Sequence, residues 1–161
     1  PEGGKNMAPR QHMRKMKVGK ITFNEAYKAV SEYRRKFPQK AVTFYAQNYP
    51  SMGWAVFMAS GSCPVIPCKD KAFLKDAAAM EVEETNTDQY KKLVKSDTGN
   101  IIYSKSGTEI PIHLSSGKYV LKYIHPASGK IETINKSLKI NGLYKLKVPD
   151  KKEGIYWFHK L

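Results

Sequence analysis

The sequence has few acidic residues, only two cysteines and no long apolar run. Its 161 residues include 14 Asp and Glu against 28 Lys and Arg, which gives a formal net charge of +14. No segment approaches the roughly 18 consecutive apolar residues that a membrane span needs. The opening, PEGGKNMAPR, has neither an initial Met nor the apolar core of a signal peptide. We therefore predict no membrane span, and we expect the chain to be a processed product or part of a longer protein.

Enough apolar residues are present for a folded core. Hydrophobic residues make up 41% of the chain and aromatic residues 11%, so disorder throughout is excluded. The two cysteines, Cys63 and Cys68, flank the segment PVIP. If that segment is extended, their Cα atoms lie about 16 Å apart, too far for a disulfide. We expect two separate buried thiols and, because no His lies nearby, no zinc site.

The positive charge is concentrated near the start of the chain. Residues 1–40 contain 11 Lys and Arg against 3 Asp and Glu, and such a segment can attract nucleic acid or an acidic polysaccharide. The alternative is the solvated face of a basic protein. In the second half, lysines that alternate with apolar residues are typical of the wet face of a sheet; they are Lys118, Lys122, Lys145 and Lys147.

The first eighty residues show helical signals separated by short apolar segments. Thr22 and Glu25 form a capping box, and Pro38 ends the helix that follows. Its apolar stripe has helical spacing and comprises Phe23, Tyr27, Val30, Tyr33 and Phe37. Two further helices are predicted, one from Pro50 to about Gly61 and one after Asp70.

The apolar segments between these helices are predicted as buried strands. AVTFYA, residues 41–46, is predicted as a strand, with a helix start as the weaker alternative, and CPVIP as a second short buried strand or an extended segment. Helices that alternate with strands in this way indicate βα units around a parallel sheet. Such units alone would leave the apolar helix faces uncovered. We therefore assign residues 1–83 to an incomplete α/β domain.

Beyond about residue 84 the apolar period falls to two. Six short runs are separated by turn signals, and they are NIIYS, EIPIHL, KYVLKYI, KIETI, LYKLKV and GIYWFHK. Pro111 indicates an edge strand, and Tyr119, Leu121 and Tyr123 are predicted to face the core. Residues 84–161 are therefore assigned to an antiparallel β-sandwich.

The order of these segments resembles the C-terminal end of apiosidase-like glycoside hydrolases. The main motif is Tyr123-Ile124-His125-Pro126-Ala127-Ser128-Gly129, which looks like the family's aromatic-x-Asp-Pro-x-x-Gly turn, with His125 in place of the Asp. The ending, Gly154-Ile155-Tyr156-Trp157-Phe158, is similar to the family's final strand. In that family a (β/α)8 barrel is followed by a small β-sandwich that is labelled a collagen-binding domain.

The resemblance implies the C-terminal portion of a TIM-barrel glycoside hydrolase with its accessory β-sandwich. Expected partners are a polysaccharide or oligosaccharide and the remainder of the parent barrel, and the expected location is secreted or periplasmic. A non-catalytic glycan- or protein-binding module is the alternative. A nucleic-acid binder using residues 1–40 is a third hypothesis, although our prediction is no nucleic acid. The chain alone is expected to be inactive.

Five residues are the predicted site. Glu2 is the catalytic candidate, because the other carboxylates of residues 1–80 are helix caps or lie on helices; its alternative is an ordinary loop glutamate. Amides and tyrosines after strand 41–46 suit sugar hydroxyls, which selects Tyr45, Gln47, Asn48 and Tyr49. Their alternatives are helix capping by Asn48 and core packing by Tyr45. Trp54 is predicted to be core. No motif indicates a cofactor or a metal site.

Overall fold

The computed structural model describes residues 21–44, 50–96, 98–105, 107–150 and 152–161. Within these ranges three helices precede six strands. The helices are α1 (Phe23–Lys36), α2 (Pro50–Met58) and α3 (Lys71–Ala77). The strands are β1 (Glu81–Glu83), β2 (Tyr90–Lys95), β3 (Gly99–Ser104), β4 (Glu109–Ile124), β5 (Ile131–Lys147) and β6 (Gly154–Lys160). None of the described helices is long and apolar enough to cross a membrane.

Helix α1 begins at the predicted capping box. The Thr22 backbone N–H donates to Glu25 Oε2 at 2.7 Å, and the Glu25 N–H donates to Thr22 Oγ1 at 3.3 Å. The first part of the predicted apolar stripe is buried. Its last two members are not, since Tyr33 is 59% and Phe37 42% exposed. These two rings stack on each other at 6.2 Å instead of entering the core.

Helix α2 is buried on most sides, as its apolar sequence predicts. Trp54, Ala55 and Met58 are fully buried. Gly53 is required by a close approach of the backbone, because a Cβ there would lie 1.7 Å from the carbonyl oxygen of Val65. The segment after α2 therefore packs directly against the helix.

The strand predicted at residues 41–46 is wrong where the structure describes it, and of the two alternatives for CPVIP the strand is wrong as well. Residues 41–44 and the CPVIP segment form no strand. The Val42 carbonyl instead accepts a 2.6 Å hydrogen bond from the backbone N–H of Ser62. Pro64 and Pro67 lack backbone donors, which disfavours pairing in CPVIP. No βα unit is formed in the described residues before Glu81.

The six strands form one antiparallel sheet in the order β1-β2-β3-β6-β4-β5. EIPIHL and KYVLKYI, predicted as separate strands, are both in β4, and KIETI and LYKLKV are both in β5. The register shifts between Leu114 and Gly117, which divides this hairpin into two arms. Strand β2 and the short β1 were not predicted.

The first arm of the hairpin folds back over the sheet. Its inward residues Ile110, Ile112 and Leu114 share a buried cluster with Tyr156 and Phe158 of β6. This cluster is thus enclosed by one bent sheet. The predicted core residues Tyr119, Leu121 and Tyr123 are confirmed, being at most 3% exposed, and Pro111 pairs only with β5, as an edge residue should.

The opposite face of the sheet is covered by the three helices. Residues of α1, α2 and α3 share one buried cluster with sheet residues, which are Leu93, Ile101, Tyr103, Ile124, Ile155 and Trp157. The sheet of the same chain therefore covers much of the apolar helix surface that was expected to need a larger domain. The division of the chain at residue 83 stays a prediction.

The cysteine prediction is half right. Both thiols are free, and Cys68 is buried, whereas Cys63 is exposed. Burial raises the pKa of the Cys68 thiol.

Candidate functional site

The residues predicted to bind or cleave a saccharide lie outside the described part of the chain. They are Glu2, Tyr45, Gln47, Asn48 and Tyr49, and their roles stay predictions. The described residues instead form a cleft whose lining residues were not predicted as site residues.

A large cleft lies between α1 and the segment that runs from α3 through β1 to β2. Its volume is about 1090 Å³. Its apolar lining comprises Tyr27, Phe57, Leu74, Met80 and Leu93. Hydroxyl and amide groups of Ser31, Thr85 and Asn86 are added from the walls. A concave apolar surface with a few polar groups is the usual form of a small-molecule site.

The cleft has balanced charges although the chain is strongly basic. Four cationic residues line it, namely Lys28, Arg34, Arg35 and Lys91. Four carboxylates line it as well, namely Glu32, Glu81, Glu84 and Asp88. The lining therefore offers both strong donors and strong acceptors, whereas the whole chain has twice as many basic as acidic residues.

Two ion pairs connect the walls of the cleft. Arg35 Nη1 on α1 lies 3.7 Å from Glu84 Oε1, and Lys28 Nζ lies 4.0 Å from Asp88 Oδ2. All four side chains are more than half exposed. Exposed pairs of this kind contribute about 1 kcal/mol at most, so a ligand could replace them at low cost.

Lys91 fixes the wall opposite α1. Its side chain is buried, and its Nζ donates to the Thr87 carbonyl at 2.7 Å and lies 3.6 Å from Asp88. The ammonium also lies 4.9 Å from the centre of the Tyr27 ring. Burial lowers the pKa of Lys91, and the Asp88 carboxylate opposes that shift. Burial likewise raises the pKa of Tyr27.

The remaining two carboxylates of the cleft are available to a ligand. Glu32 and Glu81 are exposed and have no ion pair within the described ranges. Each presents two oxygens that accept hydrogen bonds.

The motif that carries the family resemblance has a structural role here. The β4–β5 turn, residues 125–130, packs against the helical segment, and its Pro126 carbonyl accepts a 2.8 Å hydrogen bond from Trp54 Nε1. Gly129 has φ +70°, and a Cβ there would lie 2.5 Å from the Cys68 nitrogen. Glycine is thus required both by conformation and by space. Trp54 is core, as predicted.

His125 of this turn pairs with a carboxylate of the next strand. Its Nε2 lies 3.1 Å from Glu132 Oε1, and this contact, helped by Lys130, holds the pKa of Glu132 below its usual range.

Asp76 differs from its predicted place on a helix surface. Its side chain is only 10% exposed. Asp76 Oδ2 accepts a 2.8 Å hydrogen bond from Trp157 Nε1 and lies 3.4 Å from His159 Nδ1, while Oδ1 lies 3.4 Å from Lys95 Nζ. Asp76 thus joins α3 to the sheet. In the part of the chain that the structure describes, no group of His, Cys, Asp and Glu could hold a metal ion.

Sequence reasoning missed the cleft because its walls are far apart in the chain. The segment containing Glu84 and Asp88 has the composition of a polar connector, and α1 has the charged outer face of any surface helix. Only the docking of α1 beside β1 and β2 brings these groups together. Neither segment taken alone has a sequence pattern that indicates a cleft.

Comparisons with known proteins add a family match to the first half of the chain. Residues 1–80 match the family described as Domain of unknown function (DUF6298), which is just under half of the chain. No curated protein matches the sequence.

Three solved structures show low similarity. One, titled glycoside hydrolase, is 13% identical, with 52% of this chain and 20% of that chain covered and a TM-score of 0.38. CapF with the inhibitor 3-isopropenyl-tropolone is 10% identical, with 85% and 44% covered and a TM-score of 0.18. The capsular polysaccharide assembling protein CapF from Staphylococcus aureus is 11% identical, with 83% and 40% covered and a TM-score of 0.16. The chain thus spans less than half the length of each of these structures, and at these TM-scores none of the three identifies its fold.

Proposed function

We propose that the cleft between α1 and β1–β2 binds an oligosaccharide segment of a complex polysaccharide. The observation that carries the proposal is the lining of the cleft, in which an apolar floor is surrounded by equal numbers of cationic and carboxylate groups. Sugar hydroxyls both donate and accept hydrogen bonds, and sugar C–H faces pack on apolar surface. A volume of about 1090 Å³ exceeds what one small ligand needs and leaves room for several linked sugar units.

We further propose that the chain is the C-terminal portion of a glycoside hydrolase whose barrel and catalytic carboxylates are supplied mainly by other residues. The sequence resemblance described above supports this assignment, and it makes the sheet of residues 84–161 an accessory β-sandwich domain. A secreted or periplasmic location belongs to the same proposal, since complex polysaccharides lie outside the cell.

One observation favours the alternative of a non-catalytic glycan-binding module. Glycoside hydrolysis needs a carboxyl pair free to exchange protons or attack the sugar. Two of the four cleft carboxylates, Glu84 and Asp88, are instead held in ion pairs with α1. That arrangement suits binding better than proton transfer.

The test is binding of neutral plant oligosaccharides, measured by calorimetry with xylan-, cellulose- and galactan-derived tetrasaccharides. The variant Glu32→Ala/Glu81→Ala removes two exposed acceptors from the cleft. We expect it to bind about tenfold more weakly, since each lost hydrogen bond contributes about 0.5–1.5 kcal/mol. The matched control, Glu109→Ala/Asp150→Ala, removes two exposed carboxylates elsewhere and should bind as the parent chain does. Equal affinity for all three proteins, or no binding at all, would exclude the cleft as the site.

A further inference from the structure

A strip of basic side chains lies on the helix-bearing face of the sheet, beyond the edge of the helices. We define the basic strip as Lys95, Lys118, Lys122, Lys139 and His159. The register places them on one face. On β6, His159 is paired with Gly99 of β3 on one side and with Val120 of β4 on the other. Gly99 is in turn paired with Lys95 of β2. Lys118 and Lys122 flank Val120 at two-residue spacing, and Lys139 lies opposite Lys118.

The strip has an excess of positive charge that the described residues do not neutralise. Among the described residues its only carboxylate contact is Asp76, shared by Lys95 and His159. Lys118, Lys122 and Lys139 have no ion pair within the described ranges. Four lysines therefore face one carboxylate.

Lys118 and Lys139 lie directly opposite each other on neighbouring strands. Like charges at such positions destabilise a sheet, and an anion held between them would remove the repulsion. The two lysines border a shallow depression of about 400 Å³, which also includes Ser116 and Asn141. Ser116 Oγ donates to Asn141 Oδ1 at 2.6 Å, so the Asn141 amide group is oriented and its NH2 is a further donor beside the lysines.

The strip has the spacing of a linear polyanion site. Neighbouring strands lie about 4.8 Å apart, and alternate residues of one strand lie about 6.6 Å apart. Cations at these intervals can meet carboxylates that recur once per sugar along a chain.

The strip is less suited to nucleic acid. Single-stranded nucleic acids are held largely by stacking of bases on accessible aromatic rings. The one accessible ring of the strip is the imidazole of His159, because the neighbouring Trp157 ring is 1% exposed. Lys122 Nζ covers it at 4.3 Å from the ring centre. Charge with a single imidazole and no larger stacking surface favours a polymer of acidic sugars.

We propose that the basic strip binds the carboxylate groups of an acidic polysaccharide that contains uronic acid, with Lys118 and Lys139 holding one carboxylate between them. This inference rests on the proposed carbohydrate function and names the substrate class. It places a second contact region outside the cleft, on the face of the sheet next to α3.

The test compares two double variants that lose the same charge. Lys118→Gln/Lys139→Gln removes the facing pair of the strip. Lys69→Gln/Lys147→Gln removes two exposed lysines that lie outside it and have no ion pair among the described residues. All four positions are exposed, so neither variant should be less stable than the parent chain, and the strip variant should gain slightly because it removes two facing like charges; circular dichroism checks this first.

The probes are polygalacturonate, the same polymer fully methyl-esterified, and single-stranded DNA, each at two salt concentrations. We expect polygalacturonate to bind the parent chain, to lose about tenfold in affinity with the strip variant, and to lose less than twofold with the control. The esterified polymer should bind equally weakly to all three proteins. Equal losses for the two variants, no loss with the strip variant, or tighter binding of DNA that also depends on the strip would overturn the proposal.

The two proposals fail separately in these experiments. The strip variant should keep its affinity for neutral tetrasaccharides, which report on the cleft. If neutral sugars do not bind but polygalacturonate binds through Lys118 and Lys139, the cleft is excluded and the strip is supported. If neutral sugars bind in the cleft and the affinity for polygalacturonate does not depend on Lys118 and Lys139, the cleft is supported and the strip is excluded.

Discussion

Asp76 shows how one side chain can join two parts of the molecule. It lies on α3, yet its carboxylate bonds the indole of Trp157 in the central strand β6 and lies near Lys95 and His159. The indole N–H of Trp157 is buried with its ring. Without Asp76 that donor would lose the partner it has in the structure, and a buried donor without a partner costs about 1–3 kcal/mol.

We therefore expect Asp76→Ala to lower the free energy of unfolding by about 1–3 kcal/mol, measured by urea denaturation. Asp76→Asn retains an acceptor for Trp157 and should cost less. The control is Asp150→Ala, an exposed carboxylate with no ion pair in the described chain, which should change stability by no more than about 0.5 kcal/mol. An Asp76→Ala protein as stable as the Asp150→Ala control would show that the bond to Trp157 contributes nothing.

At the scale of elements, the sheet has two buried faces with different partners. The cluster around Ile110, Tyr119 and Phe158 is built from strand residues and the segment that follows β5, and it lies wholly within residues 84–161. The cluster around Leu93, Ile101 and Trp157 is completed by the helices. The predicted accessory domain would therefore keep one core and expose the other face when it is separated from residues 1–83.

Residues 84–161 expressed alone should fold, with a β-type circular dichroism spectrum and a cooperative urea transition. Their midpoint should lie below that of the full chain, and they should bind a hydrophobic dye that the full chain does not, because six sheet residues lose their helical cover. A spectrum of random coil would contradict an independent domain. A midpoint equal to that of the full chain would contradict the shared core.

Elements with local signals could be predicted from the sequence, and those that depend on distant contacts could not. The Thr22 capping box, Pro50 at the start of α2 and the Asp70 cap of α3 all act within a few residues. Strand β2 was missed because Lys91 and Lys92 look solvent-exposed. Their burial depends on Thr87 and on Glu83, which lies 2.6 Å from Lys92 Nζ.

The continuity of β4 was missed for a related reason. Ser115, Ser116 and Gly117 have the composition of a turn, whereas in the structure they form an irregularity inside one strand. The candidate site was equally beyond sequence reasoning. Its walls come from α1 and from a connector about fifty residues later, and only the tertiary packing joins them.

For binding by the whole molecule, the distribution of charge over the surface is more important than the net charge. The net charge of +14 is uneven, because the cleft is balanced and the basic strip is not. A protein of this kind would bind an acidic polymer on the sheet and neutral or mixed sugar units in the cleft. Both proposed contacts would serve attachment to a polysaccharide.

We expect the 161-residue chain alone to show no hydrolysis of plant polysaccharides or aryl glycosides, measured as release of reducing ends or aryl alcohol. The reaction needs two carboxyl groups about 5–9.5 Å apart in a formed cleft, and two of the four cleft carboxylates are in ion pairs. Turnover that disappears in Glu2→Gln would assign catalysis to the start of the chain. Turnover that disappears in Glu32→Gln/Glu81→Gln would assign it to the cleft, and either result would contradict the prediction.

The position of β6 has a consequence for how the protein is made. This strand, Gly154–Lys160, follows the other five described strands in sequence, yet it lies in the middle of the sheet between β3 and β4. On a ribosome, which delivers the chain from its N-terminus, β3 and β4 stay unpaired on that side until β6 emerges. The apolar faces of the helices likewise stay partly uncovered until Ile155 and Trp157 have emerged, because these two residues complete the buried cluster. The nascent chain therefore exposes apolar surface and open strand edges until β6 has left the ribosome, and exposed surface of this kind promotes aggregation during that interval.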